Sequence, residues 1–258
     1  MRGRAEDLLA AVKSSRTLAP GVTEIELELP GGVEPRPGQF LHISTGETFL
    51  RRPFSIAGFD RSAGTVRIIV RDVGRGSRII SGLRAGDRVR ALAPLGNSFP
   101  MDEITGLLEA GSGVWLVGGG IGIAPLLFAA SEIREKAFRV DSFIGFRDNR
   151  SVIKVEEFEA CGNVSLSVGG LVTDALARAM EGGVPGLILA CGPTPMLRAL
   201  REICLDRGIS GYVSAEERMG CGIGACLACA CRASDRDGRA YRRVCRDGPV
   251  FGISEVIL

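Results

Sequence analysis

Histidine is nearly absent from this chain of 258 residues, in which His42 is the only one. A hydrolase with a Ser–His–Asp or Cys–His arrangement needs a histidine base beside a nucleophile, and no nucleophile motif surrounds His42. The sequence therefore argues against that class of enzyme. His42 lies in "GQFLHIS", whose apolar alternation indicates a strand, and its simplest interpretation is an ordinary strand residue.

The chain also lacks a strong charge, a secretory leader and a clear membrane span. A net charge of +2 gives no electrostatic reason to expect a nucleic-acid partner. The opening "MRGRAEDLLA" has no apolar core of a signal peptide, so we expect a cytoplasmic protein whose eight cysteines stay reduced. Residues 111–131 contain no charged residue, but a Gly-Gly-Gly run and a proline favour a buried strand, turn and helix over membrane insertion.

Glycine, in contrast, is abundant, at 36 residues, whereas a typical protein contains about 7%. This predicts many tight turns or close approaches of the backbone to ligands.

The pattern of apolar residues predicts a multidomain β plus α/β protein. Residues 1–100 alternate as short strands separated by turns, as in "VTEIELELP", where Ile25, Leu27 and Leu29 share one face and Glu24, Glu26 and Glu28 the other, and this indicates an antiparallel barrel. "MDEITGLLEAGSG" is interpreted as a connection. Residues 101–211 then alternate strands with helices, which predicts a parallel sheet. Residues 212–258 are too few for a good apolar core and predict a small metal-stabilised domain.

Four cysteines of the last segment have a diagnostic spacing. Cys221, Cys226, Cys229 and Cys245 form C-x4-C-x2-C followed by a distant cysteine, which is the plant-type spacing of a [2Fe–2S] cluster. A structural zinc site remains the rival, although it usually pairs its cysteines as two C-x2-4-C units. Cys231 falls outside the pattern, and we interpret it as a buried neighbour of the site. Cys161 and Cys204 are expected to be small buried apolar residues.

The segment "LVGGGIGIAPL" follows a predicted strand and begins a predicted helix, where backbone N–H groups favour phosphate. A strict G-x-G-x-x-G does not fit, because its last position is Pro125. Taken alone, the segment is also compatible with a simple tight turn.

Three motifs in order, "RPFS" at 52–55, "GGGIGIAPL" at 118–126 and "CGPTPM" at 191–196, resemble the ferredoxin-reductase family of flavoproteins. With the cysteine motif added, the chain resembles that family's electron-transfer subunits of NAD-dependent dihydroorotate dehydrogenases over nearly its whole length. The resemblance implies an FAD-binding barrel, a NAD-binding α/β domain and a [2Fe–2S] domain. It assigns FAD to the barrel residues Arg52, Pro53, Phe54, Ser55, Ile69, Val70, Arg71, Gly76 and Ser77.

By the same resemblance, Arg52 would pair with the FAD phosphates, Phe54 would lie against the flavin, and Ser55 would offer a hydroxyl near its reactive nitrogen. The family commonly has tyrosine where Phe54 stands, so any hydrogen bond of that hydroxyl is missing. Ile69 and Val70 are equally compatible with barrel core.

The α/β residues that the resemblance assigns to NAD are Gly119, Gly120 and Gly122, which would carry its pyrophosphate. Cys191 matches the family cysteine that approaches the nicotinamide, so Ser55 and Cys191 are the candidate catalytic residues; plain burial is the alternative for Cys191. Arg147, Asp148 and Arg150 leave NAD against NADP open, although the resemblance favours NAD.

The implied function is electron transfer from a partner subunit through the cluster and FAD to NAD+. The expected partner is an FMN-containing catalytic subunit that converts dihydroorotate to orotate in pyrimidine biosynthesis, in a heterotetramer with two copies of each chain. The same design serves cytosolic hydrogenases, sulfide or polysulfide reductases and bifurcating ferredoxin–NADP reductases. A more distant alternative is a zinc-stabilised binding module with a purely structural glycine loop.

Overall fold

The computed structural model describes residues 5–234 and 240–258, so the first four residues of "MRGRAEDLLA" lie outside it. The first hundred residues contain six strands and one short helix: β1 (Glu6–Ala19), β2 (Val22–Glu28), β3 (Phe40–Ile43), β4 (Arg52–Asp60), β5 (Thr65–Arg71), α1 (Arg75–Ser81) and β6 (Arg88–Leu95).

The rest of the described chain contains five further helices and nine further strands: α2 (Met101–Glu109), β7 (Val114–Gly119), α3 (Ile123–Glu135), β8 (Asp141–Phe146), α4 (Val155–Glu159), β9 (Val164–Val168), α5 (Val172–Ala179), β10 (Leu187–Cys191), α6 (Thr194–Arg207), β11 (Ser210–Ser214), β12 (Ala230–Ala233), β13 (Tyr241–Arg243), β14 (Val250–Gly252) and β15 (Val256–Ile257). Short 3-10 turns cover Gly120–Gly122 and Asn149–Ser151.

The first six strands close an antiparallel barrel in the order β1-β2-β5-β4-β3-β6, as the alternating pattern predicts. Ile25 and Leu27 are fully buried inside it, as the alternation of β2 requires. Phe128 of α3 packs into the same core, so the helix that follows the glycine loop also covers the barrel.

The α/β part is a six-stranded sheet in the order β14-β11-β10-β7-β8-β9. Five strands are parallel, and β14 pairs antiparallel with β11. Residues 111–131 form β7, the 3-10 turn and most of α3, which confirms the prediction of a buried strand, turn and helix. Among the helices of the described residues, none has the length and apolar character needed to cross a membrane.

The interpretation of "MDEITGLLEAGSG" as a connection is wrong, because Met101–Glu109 form the helix α2. Asp102 and Glu103 occupy its first turn, where the helix dipole favours negative charge, and Ile104 is fully buried against the sheet. Met101, Leu107 and Leu108 are partly buried against the same apolar cluster as Ile104, so the apolar spacing of a helix is present in this segment.

The last segment adds a small antiparallel sheet in the order β13-β12-β15. Between β13 and β15 the chain returns to the large sheet as β14. The chain therefore connects the small sheet to the large sheet twice, through β11 before β12 and through β14 before β15. Val256 of β15 belongs to the same apolar cluster as Val213 and Phe251.

A buried ion network joins the barrel to the α/β part. Glu24 shares the outer face of β2 with Glu26 and Glu28, but it is 8% exposed, because residues after β8 cover it. Lys154 Nζ lies 2.5 Å from Glu24 Oε1 and also pairs with Glu157. Arg67 Nη1 of β5 lies 2.9 Å from Glu157 Oε2. Lys154 and Glu24 are covered, whereas the side chains of Arg67 and Glu157 are 32% and 34% exposed, and together these ion pairs link the barrel to the α/β part.

Candidate functional site

A cleft with about 230 Å³ of accessible volume opens where the barrel, the glycine loop and the last segment meet. Five of the predicted cofactor residues line it from the barrel side: Pro53, Phe54, Ser55, Ile69 and Arg71. Ile121 and Ala124, from the turn and helix after β7, line the opposite wall, while Ser214–Glu217, Met219 and Pro249 close the third side. The structure thus brings the "RPFS" motif and the glycine loop to one cavity, although they are distant in sequence.

Strand register explains which barrel side chains reach the cleft. Ser55 lies opposite Phe40 in the β3–β4 pair, and both residues line the cavity. Ile69 lines the cavity, but the next residue, Val70, is fully buried in the barrel core. Because successive side chains of a strand alternate, Val70 can face the cleft only through its backbone.

Arg52 lies beside the cleft, against the start of α1. A Cβ placed on Gly76 would lie 2.9 Å from Cζ of Arg52, so the absence of a side chain at Gly76 makes room for the guanidinium. Arg52 Nη1 donates to the carbonyls of Leu50 and Arg51 at 2.7 and 3.1 Å. Within the described residues its Nε and Nη2 have no hydrogen-bond acceptor and no carboxylate is paired with it, so this fork fits an anionic group such as a cofactor phosphate.

Ser77 holds the loop beneath Arg52. Its hydroxyl accepts hydrogen bonds from the N–H groups of Val73 and Gly74 at 2.9 and 3.0 Å and donates to the Gly74 carbonyl. The side chain of Ser77 therefore fixes the shape of the turn that Gly76 opens for the guanidinium.

The glycine loop packs on the turn after β10. Cys191 is the register partner of Gly118, and the chain turns at Gly192 directly beside the loop. A Cβ on Gly119 would lie 2.7 Å from Cδ of Pro193, and one on Gly122 would lie 2.6 Å from Cα of Gly192. Gly120 has a left-handed φ of +55° and faces open space. The two motifs thus pack into one surface whose close contacts leave no room for a side chain at Gly119 or Gly122, whereas a Cβ on Gly120 would meet nothing within 4 Å.

Gly122→Ala is expected to destabilise the protein by about 3 kcal/mol, the upper end for a forced insertion into a packed site. The added methyl group would meet the Cys191 carbonyl at 2.7 Å and the backbone of Gly192, which cannot move without displacing β10. Gly120→Ala meets nothing within 4 Å and should cost only the ~1 kcal/mol of a left-handed alanine. Urea unfolding of both variants measures the difference, and equal losses would contradict the packing role of Gly122.

Cys191 is fully buried, and the cavity is lined by its neighbours and not by its own side chain. Burial, with a smaller contribution from the charge of Glu216, raises the pKa of Cys191 well above its usual value, while a hydrogen bond with Ser214 opposes the shift. The thiol is therefore protonated. Ser214, the register partner of Cys191 on the parallel neighbour strand β11, lines the cavity.

The four cysteines of the predicted cluster are arranged as two pairs. Cys221 N–H donates to Cys226 Sγ at 3.3 Å, and Cys226 N–H donates back to Cys221 Sγ at 3.4 Å. Cys245 N–H donates to Cys229 Sγ at 3.4 Å. Across residues 5–234 and 240–258, no three His, Cys, Asp or Glu side chains converge as the ligands of a single ion. Two pairs of thiolates match the needs of two irons, each held by two sulfurs.

Backbone N–H groups in the cysteine loop are turned toward sulfur. Ala225 N–H donates to Cys221 Sγ at 3.2 Å, in addition to the bond from Cys226. Burial alone would raise the pKa of Cys221, but the N–H groups of Ile223, Cys226 and Ala225 together with the Cys226 thiol lower it to about 6. Burial and the neighbouring Cys229 raise the pKa of Cys245 to about 12. The iron ions of a bound cluster would reverse the latter shift, because metal binding deprotonates a coordinating thiol.

Glycines with left-handed φ shape the loop and let other elements approach it. Gly222 and Gly224 have φ of +73° and +85°. Arg243 Nη1 donates to the Gly224 carbonyl at 3.1 Å and is itself fixed by Asp247, whose Oδ2 lies 3.0 Å from Arg243 Nε. The donor set and the fixed backbone thus fit a [2Fe–2S] cluster held by Cys221, Cys226, Cys229 and Cys245.

Two of the other cysteines are buried as predicted, whereas Cys231 is more exposed than predicted. Cys161 and Cys204 are 3% and 1% exposed, which confirms their interpretation as small buried residues. Cys231 is half-buried on β12, where its register partner is Arg242. Burial raises the pKa of Cys231, and its thiol is paired with none of the other four.

Sequence reasoning missed the third wall of the cleft. Glu216, Glu217 and Met219 line it immediately before the cysteine loop, and Pro249 reaches it from just before β14. Desolvation by the surrounding protein raises the pKa of the Glu216 carboxyl, and the positive charge of Arg71 acts in the opposite direction. The sequence feature that could have indicated this wall is the "EERM" segment, residues 216–219. It directly precedes Gly220 and so connects the cleft to the cysteine loop.

Comparisons with known proteins agree with this geometry. Residues 216–257 match the family described as the iron-sulfur cluster binding domain of dihydroorotate dehydrogenase B. The chain is 41% identical over 256 residues to the dihydroorotate dehydrogenase B (NAD(+)) electron transfer subunit of Caldanaerobacter subterraneus subsp. tengcongensis, covering 96% of this chain and 97% of that protein. It is 40% identical to the corresponding subunit of Bacillus caldolyticus, with the same coverage.

Solved structures show the same architecture. An NADH-dependent reduced ferredoxin-NADP oxidoreductase, described for flavin-based electron bifurcation, superposes with a TM-score of 0.81 at 28% identity, covering 100% of this chain and 91% of that one. A cytochrome P450 reductase from Amycolatopsis superposes with a TM-score of 0.68 at 24% identity over 80% of this chain, which is a likeness of fold. The predicted barrel, nucleotide-binding sheet and iron–sulfur part are thereby confirmed.

Proposed function

The chain belongs to the family of electron transfer subunits of NAD-dependent dihydroorotate dehydrogenase B, and from this we propose that it carries electrons from a catalytic partner subunit to NAD+. Its cofactors are a [2Fe–2S] cluster, FAD and NAD. One structural observation supports this function above the others. The segment Glu216–Met219 that lines the cleft runs directly into the cysteine loop, so the two redox sites adjoin.

Each cofactor supplies chemistry that side chains lack. NAD carries two electrons as hydride and a [2Fe–2S] cluster carries one, whereas FAD exchanges electrons in either number and so links the two. The protein's own task is to hold these groups at fixed positions and to exclude water from between them.

We assign the binding of FAD to the barrel wall of the cleft. The unpaired fork of Arg52, seated on Gly76, is suited to the phosphates, and Ser77 maintains that seat. Phe54 offers an apolar surface for the ring system, and Ser55 offers a hydroxyl at the wall that faces Ile121 of the glycine loop. The backbone of Ile69 and Val70 and the side chain of Arg71 complete that side.

We assign NAD to the surface formed by the glycine loop and the turn after β10, where Gly119, Gly120 and Gly122 lie beside Gly192. Arg147 is exposed, and Asp148 is occupied in accepting a hydrogen bond from Ser151 N–H at 3.0 Å. NAD+ as the acceptor follows from the family. We place the protein in the cytoplasm, where the eight cysteines of the described residues, none of which forms a disulfide, would stay reduced.

The partner in this proposal is an FMN-containing subunit that oxidises dihydroorotate to orotate, assembled with this chain as a heterotetramer of two copies of each. The curated relatives are named electron transfer subunits, so we assign the substrate oxidation of pyrimidine biosynthesis to the partner.

Purified alone and loaded with its cofactors, the chain is expected to oxidise NADH with ferricyanide as acceptor but to leave dihydroorotate unchanged. Adding the catalytic subunit should then give dihydroorotate-dependent reduction of NAD+, measured at 340 nm. Formation of orotate by the isolated chain would contradict the division of labour.

A second candidate function is that of a diaphorase subunit for a different partner. The similarity to the ferredoxin-NADP oxidoreductase structure favours it after the main proposal. Isolation of the native complex identifies that partner: an FMN protein supports dihydroorotate as the electron source, whereas a protein with several iron–sulfur clusters supports the alternative.

A further inference from the structure

The single histidine of the chain lies between the proposed flavin strand and the proposed cluster loop. His42 is on β3, directly opposite Pro53 of the "RPFS" motif on β4. Its side chain is fully buried. An ordinary strand residue of a barrel wall would face either the barrel core or solvent, and His42 does neither.

The imidazole is packed against Gly222 of the cysteine loop. A Cβ placed on Gly222 would lie 3.1 Å from Cε1 and 3.2 Å from Cγ of His42, and closer still to Nδ1. The loop therefore approaches the barrel to a distance that only glycine permits. Its neighbour Cys221 is a proposed ligand of the cluster, and its Sγ receives two backbone N–H bonds from the same loop.

The ring has polar atoms that no other group of the described protein satisfies. Neither Nδ1 nor Nε2 makes a hydrogen bond of good geometry, although both are buried. Burial, aided by the charges of Arg51 and Arg52, lowers the pKa of His42 to about 4, so the ring is neutral and carries one N–H.

Leaving a buried polar group without a partner is costly, and such groups in native proteins usually have a functional reason. Here the polar edge of the ring points to the peptide that begins the cluster loop. We propose that His42 is a positioning residue for the cluster: its ring fixes the Cys221–Gly222 peptide against β3 and so orients the N–H groups that point at Cys221 Sγ.

The consequence for the cluster is a change of its redox balance. Hydrogen bonds to ligand sulfurs stabilise the extra negative charge of the reduced form, and such outer partners tune the reduction potential. If the Cys221–Gly222 peptide moves, these N–H groups no longer point at the sulfur, and reduction becomes less favourable. This inference rests on the proposed function, because it assumes that the four cysteines hold the cluster.

The first test compares His42→Leu, which keeps the bulk of the ring, with His42→Asn, which restores a polar group near the position of Nδ1. In the full chain with cluster and FAD, His42→Leu should shift the equilibrium between oxidised and reduced cluster about tenfold toward the oxidised form, about 59 mV for one electron. It should also alter the electron paramagnetic resonance spectrum of the reduced cluster. His42→Asn should stay near wild type in both measurements, with FAD content unchanged in either variant.

The second test examines the contact itself with a double-mutant cycle. Gly222→Ala should lower the iron content, because its methyl group meets the ring. Adding His42→Ala should restore part of that iron, since the obstacle is removed. Gly224→Ala is the matched control: it has a similar φ of +85°, but its Cβ would meet Arg246 and not His42. His42→Ala should give no recovery there.

The outcomes separate the inference from the proposed function. If the wild-type chain holds no iron and sulfide, the proposed function itself fails. If it holds the cluster, but His42→Leu leaves both the spectrum and the potential unchanged, or Gly224→Ala is rescued as well as Gly222→Ala, only the role of His42 is overturned.

Discussion

Replacing Cys229 with serine is expected to remove the cluster and to abolish the reduction of NAD+ by dihydroorotate in the assembled complex. Cys229 is 2% exposed and lies in the inner pair with Cys245, where a serine hydroxyl cannot supply the thiolate that iron requires. Loss of an outer partner of a metal site already costs about 10- to 100-fold, so loss of a ligand should reduce the rate more than about a hundredfold.

The oxidation of NADH by ferricyanide should persist in the same variant, because that reaction needs NAD and FAD but not the cluster, and Cys229 lies outside the core of the barrel. Iron and sulfide analysis, the paramagnetic signal and the two activities together give the result. Cys231→Ser is the matched control, since Cys231 is a nearby half-buried cysteine outside the pairs, and it should retain iron and activity. Iron loss in Cys231→Ser with iron retained in Cys229→Ser would show that the ligand set is wrong.

The cysteine spacing was sufficient to predict this site because all but one of its ligands lie within nine consecutive residues, 221–229. Local sequence therefore specifies most of the loop, including the glycines that give it its shape. The "RPFS" motif was predictable through its resemblance to a known family, which supplies the ligand, and the structure places it at the start of β4.

Features that depend on distant pairing were not predictable. Strand β14 inserts the last segment into the parallel sheet next to β11, but a strand of three residues has no periodicity of its own. Glu24 alternates as a surface residue, and only the approach of Lys154 from after β8 makes it part of a buried network. The contact of His42 with Gly222 joins residues of two different parts of the chain, and neither local pattern indicates the other.

These long-range features share one consequence for electron transfer. The ion network fixes the α/β part on the barrel, β14 fixes the small sheet on the parallel sheet, and Met219 packs between the cleft and the cysteine loop. The proposed FAD and cluster sites are therefore held by separate contacts that converge on one cavity. A rigid arrangement of this kind keeps the separation of two redox groups constant, which electron transfer between them requires.

Arg52→Ala is expected to weaken the binding of FAD by roughly a hundredfold, equivalent to about 3 kcal/mol for two lost charge-assisted hydrogen bonds. The guanidinium has no carboxylate partner among the described residues, so the protein does not already use its charge. Arg52→Lys should be intermediate, because a lysine keeps the charge but loses the planar fork. The dissociation constant, measured by flavin fluorescence on the apoprotein, is the readout.

The adjacent Arg51 provides the matched control. Its Nη2 lies 3.1 Å from Asp7 Oδ2 in a partly exposed ion pair, so Arg51→Ala removes the same type of side chain from the same segment without touching the seat on Gly76. It should change FAD affinity little, since exposed ion pairs contribute about 0 to 1 kcal/mol. Gly76→Ala tests the same contact without removing a charge. Its methyl group would displace the Arg52 guanidinium, so this variant should also bind FAD more weakly. Equal FAD affinity in Arg52→Ala and wild type, or equal losses in Arg51→Ala and Arg52→Ala, would mean that the cofactor phosphates bind elsewhere.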